Sequence, residues 1–257
     1  MSLTTLGPSG VEVLKAATGL RVSVCIPARN EAATVAGVVA PVVAAGVGAE
    51  PLVDEVIVVD DGSSDATGEI ARALGARVVR RAGQPGKGAA MAAAARAAAG
   101  DIVVFLDADV RNFGLHFVSG LVEPLLTDPG MVLVKGTYRR PGEDGAGQGG
   151  RVTELLARPL LRRLFPELAF LRQPLAGEVA VRRHALEGLH LEPGYGVEIG
   201  MLIDVARRFG ADAVTQADLG TRVHRNRPLS ELAGQADEVL AAVLSRVGVA
   251  RVDVPLG

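Results

Sequence analysis

Apolar and polar positions run in alternating blocks through the first hundred residues, and the blocks read as strands and helices taking turns. Residues 21–26 are a short β-branched run, 31 to about 43 have helix-like spacing, and 53–59 are a second apolar run, which predicts one βαβ unit. Ser64 or Asp65 can cap a helix running to Leu74; 77–80 predicts a short strand, 88–99 an Ala-rich helix and 102–106 a buried strand. Strands alternating with helices imply an α/β fold whose mostly parallel sheet is covered on both faces. Beyond Tyr138 the pattern changes. Residues 141–150 contain five glycines and read as a mobile loop, followed by a helix from 151 to about 164. A strand over 177–182, a helix over 198–209, a short strand over 213–217 and a long helix over 229–247 complete the expectation.

Composition removes several function classes. The chain of 257 residues carries 27 Lys plus Arg against 29 Asp plus Glu, a net charge of -2, so no global basic field exists to hold nucleic acid. Aromatic residues are 3% with no Trp, which leaves few platforms for stacking bases or sugars. A single cysteine, Cys25, excludes a disulfide framework and a cysteine zinc cluster, and points to a reducing compartment. Residues 32–49 are uncharged for the length of a membrane span. They are mostly Ala and Val interrupted by Thr34, Gly37, Pro41, Gly46 and Gly48, so a protein-covered helix ending near Pro41 is expected and no membrane contact. The first twenty residues lack a basic start followed by an apolar block, and the protein reads as cytoplasmic. With no repeat of 20 to 50 residues, one α/β domain is expected. Its nucleotide half would span about 21–138 and its second half about 139–248.

Ligands of such sheets bind beyond the carboxyl ends of the strands, and the polar clusters fall there. Asp107-Ala108-Asp109 follows the apolar run 103–106; in extended backbone the two carboxylates share a side and suit Mg²⁺ or Mn²⁺ with phosphate oxygens. A loop turn or helix cap is the bland alternative. Asp60 and Asp61 end the second strand, where carboxylates can accept from a base NH or ribose hydroxyls. With Pro27, Ala28, Arg29, Asn30 and Glu31 they would make a floor for a nucleoside, Arg29 offering a fork to an anionic oxygen. Gly86-Lys87-Gly88 opens a helix and places a cation at its N-terminus, an anion site. The full phosphate-loop pattern is missing, so a P-loop NTPase is not supported.

Taken in this order, Pro-Ala-Arg-Asn-Glu, Asp-Asp-Gly-Ser-Ser-Asp, Gly-Lys-Gly and Asp-Ala-Asp resemble the nucleotide-sugar domain of GT-A glycosyltransferases, with its Rossmann-like sheet. Gly-Gly-Arg-Val-Thr-Glu-Leu (149–155), Gln-Pro-Leu-Ala-Gly-Glu (173–178), Pro-Gly-Tyr-Gly-Val-Glu-Ile-Gly (193–200) and His-Arg-Asn-Arg-Pro-Leu (224–229) narrow the resemblance to the glucosyl-3-phosphoglycerate synthases. The mannosyl-3-phosphoglycerate synthases of actinobacterial type are also similar. The resemblance implies that Asp109 and His224 bind the metal, Mg²⁺ or Mn²⁺. It places Glu198 near the sugar hydroxyls, beside a wall formed by Tyr195, Gly196 and Val197, and lets the Leu175 carbonyl support positive charge developing on the sugar. Acceptor phosphate would sit on Gly150, Arg151, Val152 and Thr153, with Asn226. A helix-start glycine, a Thr hydroxyl and an Arg fork are chemically apt for a small dianion. His116, His184 and His190 match no motif.

The implied reaction is transfer of glucose from UDP-glucose to the 2-hydroxyl of 3-phosphoglycerate with retention, by a homodimer. Asp61 and Ala108 stand where relatives often carry Ser, which keeps GDP-mannose as an alternative donor. A polyprenyl-phosphate glycosyltransferase and a non-catalytic nucleotide-binding module are the rivals. A carboxylate nucleophile would be Glu198.

Overall fold

The computed structural model describes residues 6–139, 150–223 and 229–248. Most of the glycine-rich run 141–150 lies outside these, as do His224 and Asn226. In chain order the elements are α1 (Pro8–Thr18), β1 (Val22–Ala28), α2 (Val35–Ala44), β2 (Glu55–Asp60), α3 (Thr67–Ala73), β3 (Arg77–Arg80), α4 (Lys87–Ala97) and β4 (Ile102–Phe105). There follow α5 (His116–Thr127), β5 (Leu133–Arg139), a π-helical turn (Thr153–Ala157) running into α6 (Arg158–Leu164), β6 (Val179–Arg182), α7 (Arg183–Leu186), α8 (Val197–Phe209), β7 (Val214–Thr221) and α9 (Leu229–Arg246). The seven strands form one sheet in the order β3-β2-β1-β4-β6-β5-β7. All neighbours are parallel except β6, which runs antiparallel to β4 and β5. The α/β expectation therefore holds, with one reversed strand in the middle.

Alternation along β1 shows why both faces are covered. Val22, Val24 and Ile26 enter one core with α1, α2, α3 and α5; Cys25 enters the other with α4, α6, α8 and α9. Each fully buried Val, Leu or Ile contributes about 1.5–3 kcal/mol, so two such layers suffice to hold the strand ends still. The uncharged stretch 32–49 supplies α2, whose Val35, Val38, Val39 and Val42 are wholly buried. Pro41, the seventh of ten residues in α2, does not end the helix, which runs on to Ala44 past the expected end. No helix among the described residues is long and apolar enough to cross a membrane.

Candidate active site

The carboxyl ends of β1, β2 and β4 open together into a cleft of about 820 Å³, its open mouth included. Its lining includes Pro27, Ala28, Arg29, Glu31, Asp61, Lys87, Asp107, Ala108, Asp109 and Tyr195. Nine of the expected donor residues and the expected metal ligand Asp109 thus share one surface. Asn30, Asp60, Val197 and Glu198 do not line it, Glu198 reaching it only through Lys87, and Gly196 lines an adjoining cleft that shares Pro85, Gly86, Lys87 and Tyr195 with the first.

Several expected ligand groups also anchor the fold. Asn30, in the left-handed region at φ 55°, accepts from the Ser64 amide at 2.8 Å and donates its own amide to Ser63 Oγ at 3.0 Å. Asp60 Oδ1 accepts from the Ser63 amide at 2.9 Å. Asp61 takes Arg81 Nε at 2.5 Å on one oxygen and the Gly86 amide at 2.7 Å on the other. The carboxylates expected to be offered to a base therefore lace the β1, β2 and α4 loops together. Lys87 corrects the expectation further: its ammonium lies 2.8 Å from Asp107 Oδ1 and 2.6 Å from Glu198 Oε1, so it bridges two carboxylates where an open anion site was expected. Burial alone would lower the Lys87 pKa, but Asp107 and Glu198 outweigh it and hold the ammonium firmly protonated. Gly88 is required beside it, because a Cβ there would fall 1.7 Å from the Glu192 carbonyl oxygen that packs on the α4 start.

Asp107 lies two residues beyond the end of β4, and Asp109 sits in the turn that follows it. What makes them converge is Arg222, whose Nη2 donates to Asp107 Oδ2 at 2.8 Å and Asp109 Oδ1 at 3.0 Å. Arg222 is buried, donates to the Tyr138 hydroxyl at 2.9 Å and lies 3.1 Å from Glu178 Oε1. Burial would raise the Asp107 pKa, yet Lys87 and Arg222 overcome this and keep it well below the usual carboxylate range. Glu178, with no exposed surface and no hydrogen bond to its carboxylate among the described residues, goes the other way: burial raises its pKa against the pull of Arg222. Glu198 is buried in the first turn of α8, 2.6 Å from the Lys87 ammonium.

Gly150, Arg151, Val152 and Thr153 stand together at the start of the π turn and α6, with Thr153 buried and Arg151 exposed; none of them lines the Asp109 cleft. Leu175 is half-buried, two residues before Gly177, at which an added Cβ would fall 2.3 Å from Asp107 Oδ1. His116 packs on Phe117 and His184 on Phe209, as structural rings do.

The chain is similar to known proteins in sequence and fold. Residues 23–185 match the family described as Glycosyl transferase family 2. Glucosyl-3-phosphoglycerate synthase of Mycobacterium tuberculosis is 48% identical over 255 residues, 93% of this chain and 77% of that protein. The chain belongs to the glucosyl-3-phosphoglycerate synthase family. The crystal structure of the M. tuberculosis enzyme with Mn²⁺, UDP-glucose and phosphoglyceric acid is similar at TM-score 0.88 and 46% identity, covering 99% of this chain and 88% of that one. Its complex with Mn²⁺, UDP and glucosyl-3-phosphoglycerate matches at 0.88 and 46%, covering 100% and 89%.

The family's divalent cation fits the residues present. The Asp109 side chain is one-quarter exposed in the cleft, and Arg222 engages only its Oδ1. Immediately before His224, Val223 is tied down twice: its carbonyl accepts from the Arg111 amide at 3.0 Å and its amide donates to Asn112 Oδ1 at 2.8 Å. The chain is thereby brought to the Asp109 turn one residue short of the imidazole. Among the described residues no group of three or more His, Cys, Asp or Glu could hold a metal ion. Sequence reasoning overlooked Arg222, Tyr138 and Lys135, and quoted Glu178 within a motif without a role. The available signal was an arginine two residues before the expected metal histidine.

Proposed function

We propose that the protein transfers glucose from UDP-glucose to the 2-hydroxyl of 3-phosphoglycerate, with retention and in the presence of Mn²⁺ or Mg²⁺, giving glucosyl-3-phosphoglycerate and UDP. One observation carries the reading. Asp107, Asp109 and Lys87, the last paired behind the wall with Glu198, meet at one cleft of a chain that aligns along nearly its whole length with an enzyme solved with these substrates. Pro27, Ala28, Arg29, Glu31 and Asp61 hold the nucleotide, Asn30 fixing the loop behind them and Arg29 adding a cation toward the diphosphate. Asp109 and His224 hold the cation, which when bound supplies neutralisation of the departing diphosphate. Asp107, held still by Lys87 with Glu198, faces the sugar hydroxyls, and Tyr195, Gly196 and Val197 stand behind. Gly150, Arg151, Val152, Thr153 and Asn226 seat the acceptor phosphate. The bond from the anomeric carbon to the phosphate oxygen breaks with its electron pair going to UDP. The acceptor oxygen bonds to that carbon on the same face, its proton passes to a leaving phosphate oxygen, and the Leu175 carbonyl steadies the sugar's positive charge. We infer one domain, nucleotide half about 21–138 and acceptor half about 139–248, working as a homodimer in the cytoplasm.

UDP release assayed with UDP-glucose and with GDP-mannose, each with 3-phosphoglycerate and with or without Mn²⁺, tests the reading. Turnover is expected only with UDP-glucose, acceptor and cation together; a preference for GDP-mannose, or turnover indifferent to acceptor, overturns it. Arg151→Ala is expected to raise the acceptor KM by roughly 10–100-fold, the worth of a charge-assisted hydrogen bond, with the donor KM unchanged. An unmoved acceptor KM places that phosphate elsewhere. Because Glu198 is committed to Lys87, Glu198→Gln is expected to slow turnover by about 10–100-fold. Loss of a covalent nucleophile costs on the order of 10⁶-fold, and a fall of that size reinstates the double-displacement route.

A further inference from the structure

The chain's 27 basic residues include only three lysines, and one of them, Lys135, lies in the middle of β5 with no exposed surface. A buried ammonium is costly unless it is paired or bonded. Lys135 Nζ donates to the Ala176 carbonyl at 2.5 Å. Two further bonds tie the same segment to β5, from Gln173 Nε2 to the Tyr138 carbonyl at 2.5 Å and from the Gly136 amide to the Glu178 carbonyl at 2.8 Å. The segment presses on the cleft through Gly177, where even a methyl group would collide with the Asp107 carboxylate. Asp107 is thus boxed in by Lys87, Arg222 and a backbone turn that Lys135 holds.

We propose that Lys135 is a positioning residue for glycosyl transfer: from behind the cleft it anchors the 173–178 turn and so sets where Asp107 stands against the donor sugar. The inference rests on the reading of the cleft given above. The charged groups around Lys135 are Glu198 from α8, Lys87 from α4, Glu178 of the turn itself and Asp107 beyond β4. Burial, only partly offset by Glu198, brings the lysine from its ordinary 10.5 to about 8. As pH rises through about 8, the anchor loses its charge and the bond to the Ala176 carbonyl weakens. Between about 8 and 10.5 the unfolded chain binds this proton and the folded one does not, so the lysine's contribution to stability rises with pH. An alkaline loss of turnover from this source is therefore not unfolding.

The full-length protein, with UDP-glucose, 3-phosphoglycerate and Mn²⁺, supplies the test. Wild-type kcat is expected to fall with a midpoint near pH 8 while Tm does not fall with it. Amide-exchange protection over 173–178, corrected for intrinsic pH dependence, should weaken across the same range. Lys135→Met should lower kcat by about 30–100-fold, as a small misplacement of a reacting geometry does, with acceptor KM within about twofold and the limb near pH 8 gone. Unchanged kcat in Lys135→Met, or wild-type protection of 173–178 indifferent to pH between 7 and 9, overturns the assignment. The second measurement needs no variant to fold. If the wild type releases no UDP with 3-phosphoglycerate, the proposed reaction fails instead, and the exchange data alone decide whether Lys135 is the anchor.

Discussion

Asp109→Ala is expected to abolish Mn²⁺-dependent release of UDP, a loss of at least about 10³-fold in kcat, while leaving the protein folded. The size follows from the chemistry: charge neutralisation of a leaving diphosphate by a held cation is worth several kcal/mol, and each 1.36 kcal/mol is tenfold in rate. The survival of the fold follows from the site. Asp109 is partly exposed in the cleft, and Arg222, its ion-pair partner among the described residues, keeps Asp107 at 2.8 Å and Glu178 at 3.1 Å when Asp109 is gone. Thermal unfolding should therefore move by only a few degrees. His224→Ala should lower turnover alike, since His224 is proposed as the other protein ligand of the same cation. Titrating Mn²⁺ into each variant checks the assignment: a curve that still saturates at wild-type turnover removes Asp109 from the metal site.

The strand ends were legible because an apolar run followed by acids, glycine and serine has few other meanings in an alternating α/β pattern. β3 falls on its expected residues, and Asp60, Asp61, Asp107 and Asp109 emerge where expected. β5 was not legible, and the reason is physical. Lys135 and Thr137 are polar residues buried in a strand flanked on both sides, so a reading that equates polar with exposed misses it. In α5, eight of twelve residues are buried and Pro124 lies inside, which erases the polar stripe that marks a surface helix. Roles were harder than positions. Asp61, Asn30 and Lys87 are chemically suited to ligands, but their partners come from other loops 20 to 34 residues away or from α8, and spacing carries no record of that pairing. Arg222 reaches Asp107 across 115 residues, and only the folded sheet shows one guanidinium joining both acids of the turn to a buried glutamate.

Arg222→Met is expected to be the most destabilising single change in the site, lowering stability by about 3–5 kcal/mol and Tm by roughly 10 °C. Methionine fills much of the same volume, so the loss is electrostatic. Glu178 would be left with no exposed surface, no hydrogen bond to its carboxylate among the described residues, and the 3.1 Å cation removed. Its pKa is already raised by burial and by Asp107, with Arg222 the main restraint. Without that restraint it rises further, so the variant holds a proton that the unfolded chain gives up. Stability in Arg222→Met should then be better kept below the unfolded carboxylate range and lost as pH rises through the folded value. The pairing also predicts a rescue. Adding Glu178→Gln removes the stranded charge, and the double variant should regain more than half of the lost stability, which marks Glu178 as the coupled partner. Denaturant unfolding of the wild type, both single variants and the double variant measures this directly. Additive losses in that cycle, or a Tm change under about 2 °C for Arg222→Met, would show that the arginine is not what makes the buried glutamate tolerable. Turnover should not return with stability, because Asp107 and Asp109 still lack the guanidinium that draws them to one side of the cleft.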